Sequence, residues 1–478
     1  MASVKKNILL NGINTLSGLL FPMVTFPYAA RVLMPEGIGT INFLSSIVSY
    51  IVLFTSLGIP MYAVREVAKY RDDKARRDQI TMEILILSLL LCLLGYVAVW
   101  ALAEFVPQIN RQASLFYVLS LIIVLDAVGV NWFYMGIENF AFITLRTLLI
   151  RVLCAASLFI FVRHSGDLLA YAFVTVGTNV GNNLLNVINL RRHIGYGLID
   201  WGKLDIMRHL KPAFQVFVLN LISSLFVQLN DVMLGFMSGE TEVGYYTAGY
   251  KVVYIGSVAI TSMSAVMLPR CSNLLQKGDR QGFASVIGKS LTLNMALSLP
   301  IAVGLMALSL PVTMVLCGPD FTPSVAVLFL SAPSIVFISL SNLMSVQVLY
   351  PMDKVRIAMA GLAGGALVNP LLNLWLIPRY GAAGAALSAL VAQMVVFMIQ
   401  LLAGRCCYPF RVRELLMPRY LIAAALMGAA VWALTLLRLP VGLTLTGGIL
   451  LGVAVYGALL LLQRDPLATT ILRTLRHR

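Results

Sequence analysis

Charge is scarce in this chain. Only 12% of its 478 residues are Asp, Glu, Lys or Arg, against about 25% in an ordinary soluble domain. The acids are scarcest, 20 against 35 basic residues. So few charges cannot wet the surface of a soluble protein this long, which excludes that class. No Walker A sequence or Gly-rich dinucleotide fingerprint is present, so any work the chain does is not driven by a nucleotide-binding domain of its own. The six cysteines (Cys92, Cys154, Cys271, Cys317, Cys406 and Cys407) have no C-x-x-C spacing. Several lie in apolar runs and read as small buried hydrophobes, not as a disulfide or zinc framework. No metal site and no cofactor are expected.

Long loops are also missing. On the hydropathy reading, the longest outer connections are "AEFVPQINRQ" and "PVTMVLCGPDFTPS". Neither leaves room for an extramembrane catalytic domain, so an enzyme is not expected. The inner connections "REVAKYRDDKARRD" and "RRHIGYGLIDWGKLDIMRHLK" are longer and read as amphipathic surface helices.

What remains is apolar sequence. Hydrophobic residues make up 59% of the chain. A spanning helix needs roughly 20 mostly apolar residues. On that rule the chain reads as an all-α polytopic membrane protein with about 14 transmembrane helices. The N-terminal run after Lys5 and Lys6 is longer than a signal peptide's apolar region and reads as the first span. Of the basic residues, Arg31, Arg111, Arg163, Arg379 and Arg438 alone lie towards the outer side, and Lys251 lies within a span. The rest fall at or near inner ends, with both termini inside. Most of the net charge of +15 is therefore orientation signal, and it does not imply a nucleic-acid partner.

The halves rhyme. "ARVLMPEGIGTINFLSSIV" joins the first two spans, and "LGFMSGETEVGYYTAGYKV" joins the seventh and eighth. "VRHSGDLLAYAFVTV" pairs in the same way with "PRYGAAGAALSALVA". The offset is six spans, as in transporters built from parallel repeats. The expected division is an N-terminal lobe over 1–211, a C-terminal lobe over 212–404, and two further spans with a tail over 405–478.

Several charges sit inside spans, where each costs roughly 2.5–3.5 kcal/mol and usually faces a cavity or a partner. Asp231 and Lys251 fall at equal depth on consecutive spans, which permits a structural ion pair. Asp126 and Arg151 permit a second. Arg146 stands at an inner edge, where a topology role also fits. Arg31 could pair with Glu36. Amides cluster in "GTNVGNNLLNVIN", with Asn179, Asn182 and Asn183. With Asn220 and Gln228 they could glue helices together or line a wet lumen. Pro22, Pro27, Pro300, Pro333 and Pro370 can kink their spans.

Four patches carry a family resemblance: "FPYAARVLMPEGIGTINF", "NWFYMGIENFAFITLR", "LNDVMLGFMSGETEVGYYTAGYKV" and "NPLLNLWLIPRYGAAGAALSALVAQ". In order and spacing they resemble the polysaccharide transporter family, the Wzx-type O-antigen flippases. The resemblance implies the multidrug/oligosaccharidyl-lipid/polysaccharide exporter fold: two six-helix lobes in a V plus two C-terminal helices. It implies movement of an undecaprenyl-pyrophosphate-linked oligosaccharide from the inner to the outer face of a bacterial inner membrane by alternating access. The implied partners are the lipid-linked oligosaccharide, the bilayer, and a polysaccharide polymerase or chain-length regulator. "VGYYTAGYKVV" to "MLPRCS" is also similar to the eighth span of lipid II flippases, where a basic residue at the position of Lys251 lines a cationic cavity. On this reading Lys251, Arg151, Arg31 and Arg146 are the phosphate-binding candidates. Asp231 and Asp126 are charge partners or coupling sites, with H+ or Na+ both open. The alternatives are a multidrug or cation antiporter of the same superfamily, and a membrane-embedded glycan polymerase or ligase.

Overall fold

A computed structural model describes residues 4–407, 417–437 and 439–465. The described residues are helical and form no strand. They fall into two compact units, Met1–Phe236 and Met237–Arg478.

The first unit contains α1 (Val4–Ser56), α2 (Ile59–Lys69), α3 (Lys74–Phe105), α4 (Ala113–Ala127), α5 (Asn131–Gly136), α6 (Phe140–Phe161) and α7 (Leu168–Leu190). It also holds nearly all of α8 (Leu210–Met237). A straight helix of 53 residues would be about 80 Å long, far more than a bilayer's hydrocarbon core of about 30 Å. Met34 breaks α1, with φ 64° and ψ 173°. That is backbone which glycine alone adopts at no cost. Each half of α1 is long enough to span. Leu57 and Gly58 then take left-handed backbone and start α2. Gly58 is required there, because a Cβ would stand 2.6 Å from the Phe217 amide nitrogen on α8.

The second unit contains α9 (Glu240–Gln276), α10 (Arg280–Ala307), α11 (Ser309–Leu316), α12 (Ser324–Ser331), α13 (Ser334–Asn342), a π-helical turn (Leu343–Leu349), α14 (Val355–Ala403), α15 (Pro418–Thr435) and α16 (Val441–Leu462). Pro333 lies at a 41° bend between α12 and α13. Gly381 divides α14 much as Met34 divides α1. The other expected kink prolines, such as Pro300 and Pro370, lie within continuous helix.

Among the described residues, nine helices are long and apolar enough to cross a membrane, or ten if the bent pair counts as one. α7 is not among them, because its asparagines lower its hydropathy. Large apolar side chains stand exposed along these helices, as Leu90, Leu93, Leu94 and Val97 do on α3. In water such a stripe would be an aggregation hazard; in lipid it is the outer surface. This is a multi-pass membrane protein. Cys92, Cys154, Cys271 and Cys317 are buried and form no disulfide, as expected of small hydrophobes. The side chain of Cys406 lies outside the described set.

The repeat is visible in the backbone. Gly239 aligns with Met34 and has φ 94° and ψ 171°. In the first unit the Tyr28 hydroxyl donates to the Val162 carbonyl at 2.8 Å. In the second, the Ser238 hydroxyl donates to the Ile377 carbonyl at 3.4 Å. Each bond ties the first hairpin of its half to the fifth-to-sixth turn.

One expectation is corrected. The stretch "RRHIGYGLIDWGKLDIMRHLK" is no amphipathic helix. It forms three short 3-10 turns, Tyr196–Leu198, Trp201–Lys203 and Met207–His209. Its glycines weaken helix, and α3 supplies partners that hold it in place. The Gly195 amide donates to Asp78 at 2.8 Å, and the Asp205 amide donates to Glu83 at 3.1 Å.

Candidate functional site

The helices of the first unit enclose a cavity of about 690 Å3. Its position follows from the break at Leu57–Gly58. There the chain leaves α1 and enters α2, placing Thr55, Ser56 and Arg65 on one wall. The facing wall is polar for a different reason. α7 presents Asn179 and, one helical turn on, the neighbours Asn182 and Asn183, and α4 contributes Asp126. Asn14, Ser88, Asn131 and Thr147 complete the polar lining.

The asparagines have separate jobs. Asn183 is buried and donates to the Leu125 carbonyl at 2.9 Å, so it glues α7 to α4. Its amide occupies the space where a Cβ on Gly129 would be, 2.2 Å from Nδ2. Asn179 is exposed to the cavity, and its Nδ2 donates back to Thr175 at 3.0 Å. The Oδ1 of Asn182 is buried without a hydrogen-bond partner among the described residues. A buried acceptor left unpaired costs about 1–3 kcal/mol. A donor entering the cavity would recover that cost.

Two arginines approach from α6. Arg151 is half-buried and reaches across to α1. Its Nη1 donates to the Asn14 carbonyl at 2.9 Å and also to the Ser17 hydroxyl. Gly18 makes this approach possible, since a Cβ there would lie 3.2 Å from Nη2. Arg146 is 5% exposed. It donates to the Asn182 carbonyl at 3.3 Å and to Asn131, and it stacks on Tyr134 and Phe142. Each cation–π contact is worth about 0.5–2 kcal/mol. Together these contacts offset the cost of a buried charge, and they leave Arg146 as a clamp behind the cavity wall, away from its lining.

The remaining candidates stand elsewhere. The pairing that the sequence permits between Asp126 and Arg151 is not formed: among the described residues no ion pair joins them, because Arg151 is committed to α1. Asp231 accepts from the Ser46 hydroxyl at 3.2 Å within the first unit. Lys251 is half-buried on α9 in the second unit, just after the stacked pair Tyr246 and Tyr250. Arg31 is exposed three residues before the Met34 turn. Gln228 lies on α8, away from the cavity lining. Asn220 lies on α8 too, with its side chain outside the described set.

The sequence reading missed a second polar cluster in this unit. Glu83 is fully buried and accepts from Arg208 and from His209 Nε2, the latter at 2.8 Å. His209 Nδ1 lies 2.7 Å from the Tyr62 hydroxyl. Asp78, also fully buried, accepts from Arg77 at 2.7 Å. The available signal was a carboxylate barely one turn inside the third expected span.

Comparison with known proteins bears on the family and the fold. The sequence pattern of a family described as "Polysaccharide biosynthesis protein" matches residues 4–275, more than half of the chain. The chain belongs to that family. Among its relatives, a protein of Escherichia coli (strain K12) named "Putative O-antigen transporter" is 26% identical, over 84% of this chain and 97% of its own length. A Haloferax volcanii protein named "Probable low-salt glycan biosynthesis flippase Agl15" is 27% identical, over 40% of this chain and 43% of its own length. Among solved structures, "Lipid II flippase MurJ, inward closed conformation" superposes with a TM-score of 0.76. It is 15% identical, covering 96% of this chain and 99% of that one. An inward-facing multidrug resistance MATE family transporter gives 0.66 at 16% identity, covering 84% and 97%. These likenesses show that the chain shares the fold of those two transporters.

Proposed function

We propose that this polysaccharide-biosynthesis family member is a flippase. Its substrate is an undecaprenyl-pyrophosphate-linked oligosaccharide, carried from the cytoplasmic to the periplasmic leaflet of a bacterial inner membrane. Both termini are cytoplasmic, and the cycle is alternating access. The observation that carries the reading is the cavity in the first unit, with amides and hydroxyls on its walls and Arg151, itself outside the lining, bonded to the lining residue Asn14. Sugar hydroxyls need both donors and acceptors, and Asn179 and Asn182 supply both. Among the described residues Arg151 uses only Nη1 within the chain, so Nη2 and Nε remain for a phosphate oxygen. Arg146 holds Asn131 and Asn182 in register and acts through them. Lys251 and Arg31 are proposed as later contacts for the diphosphate. No bond is made or broken, so no cofactor is required. Asp126 is the residue proposed to couple the cycle to H+ or Na+, and Asp231 is the second candidate. A polymerase and its chain-length regulator would take up the product.

The test is transport of a lipid-linked oligosaccharide in proteoliposomes. Arg151→Ala should cut the rate at least tenfold at normal accumulation, and Arg151→Lys should restore only part. Wild-type rates from Arg151→Ala together with Asn182→Ala would sink the reading.

A cation antiporter is favoured by one observation, a cavity carboxylate with no ion pair among the described residues, Asp126. In that case overexpression should raise resistance to cationic dyes, and Asp126→Asn should abolish the gain. We expect no such resistance.

A further inference from the structure

The second unit holds a smaller cavity of about 180 Å3 between α9, α10 and the π-helical turn. Two cations line it from two different helices, Arg270 on α9 and Lys289 on α10, and no carboxylate does. Among the described residues neither cation has an acidic partner. Charge bias along the sequence puts both at the inner end of the unit.

The neutral lining is polar as well. Ser264, Asn294 and Gln347 are each more than nine-tenths buried. Asn294 is satisfied, since it donates to the Ser339 carbonyl at 3.1 Å and accepts from the Ser339 hydroxyl at 2.9 Å. Gln347 is different. Its Nε2 donates to the Ser264 hydroxyl at 3.1 Å, and its Oε1 is buried without a partner. Rotating that amide by 180° lets the serine donate to Oε1 and leaves the NH2 group, on a residue that lines the cavity, free to donate elsewhere. Gln347 rides on the π-helical turn Leu343–Leu349, and such turns concentrate at functional sites.

We propose that this cavity binds a phosphate group, with Arg270 and Lys289 supplying charge and Gln347 a buried donor. Its size suits a phosphate or diphosphate. Drug-sized ligands and larger ones occupy about 300 Å3 or more, so only the anionic head of a bigger molecule would enter. The site is independent of the transport reading and would stand if transport failed.

The probe is inorganic diphosphate, titrated calorimetrically into the full-length protein in phosphatidylcholine nanodiscs. Saturable binding is expected, weakened at least tenfold in Arg270→Gln/Lys289→Gln. A second readout needs no variant: diphosphate should slow acetylation of Lys289 in the wild-type protein, followed by mass spectrometry. Three arms separate the sources of the phosphate. Nanodiscs containing phosphatidylglycerol remove diphosphate binding if the natural occupant is a lipid headgroup. Polyprenyl diphosphate competes if it is a lipid-linked sugar carrier. Neither competes if it is a soluble phosphate. Each of these supports the site. No saturable binding, or unchanged Lys289 acetylation with unchanged affinity in the double variant, overturns it.

Discussion

In the first unit the buried polar groups include the ions Asp78, Glu83 and Arg146, with the His209 ring beside Glu83. In the second, among the described residues and Asp465 apart, they are hydroxyls and amides such as Ser339, Asn294, Gln347 and Gln400. The two halves share a hairpin geometry and a chain order, so the difference lies in what fills the frame. Ions in a low-dielectric interior hold only when every partner is present. Hydroxyls and amides tolerate single losses, and they allow the close helix packing seen where Ser341 meets Gln400 at 2.8 Å. The half with the larger polar cavity is also the half stiffened by charge.

The sharpest way to break this contrast is to remove one member of each network. Glu83→Ala strands Arg208 and His209 and should cost about 3–5 kcal/mol. Asn294→Ala in the second unit should cost about 1–3 kcal/mol. Thermal unfolding in detergent measures both, and equal losses would erase the distinction. Arg146→Ala should cost about 2–3 kcal/mol through its hydrogen bonds, and Arg146→Lys should recover little because the fork and the stacking are lost. Arg151→Ala loses its bonds to Asn14 and Ser17 on α1 and should cost about 1 kcal/mol, less than Arg146→Ala, while reducing transport more. The reverse ranking would exchange the roles of the two arginines.

Smaller effects test the shared frame. Met34→Gly should stabilise by about 1 kcal/mol, and Gly239→Ala should destabilise by about the same or more. If Met34→Gly gains nothing, the turn is not strained. The smallest expected effect concerns pH. Burial holds the His209 imidazole below its ordinary value, with Arg208 acting in the same direction and the hydrogen bond to Glu83 opposing. Tyr62 and Glu66 also face it. The folded chain therefore prefers the neutral ring, whereas the unfolded chain takes up its proton near pH 6.5. Stability from this group should be complete above about pH 6.5 and fall as the pH drops below it. In His209→Asn that slope should flatten between pH 7 and pH 5.

The membrane class was legible because apolar length is a property of composition. So was the wall of α7, since three asparagines inside a span need water or partners wherever they point. Arg151 was recognisable as a charge in the wrong solvent, but its partner was not. Which helix lies against α6 depends on packing, and the Asn14 carbonyl leaves no mark in a sequence pattern. The proposed loop helix failed on local grounds that were available, three glycines within eight residues, Gly195 to Gly202. Glu83 and His209 are 126 positions apart, and no local signal connects them.

That separation carries a consequence for biogenesis. Asp78 emerges from the ribosome 117 residues before Gly195, and Glu83 126 residues before His209. Until those groups follow, Glu83 lacks Arg208 and His209, and Asp78 has Arg77 beside it but not the Gly195 amide. The buried carboxylates of α3 therefore complete their hydrogen bonds only once residues 195–209 have been made.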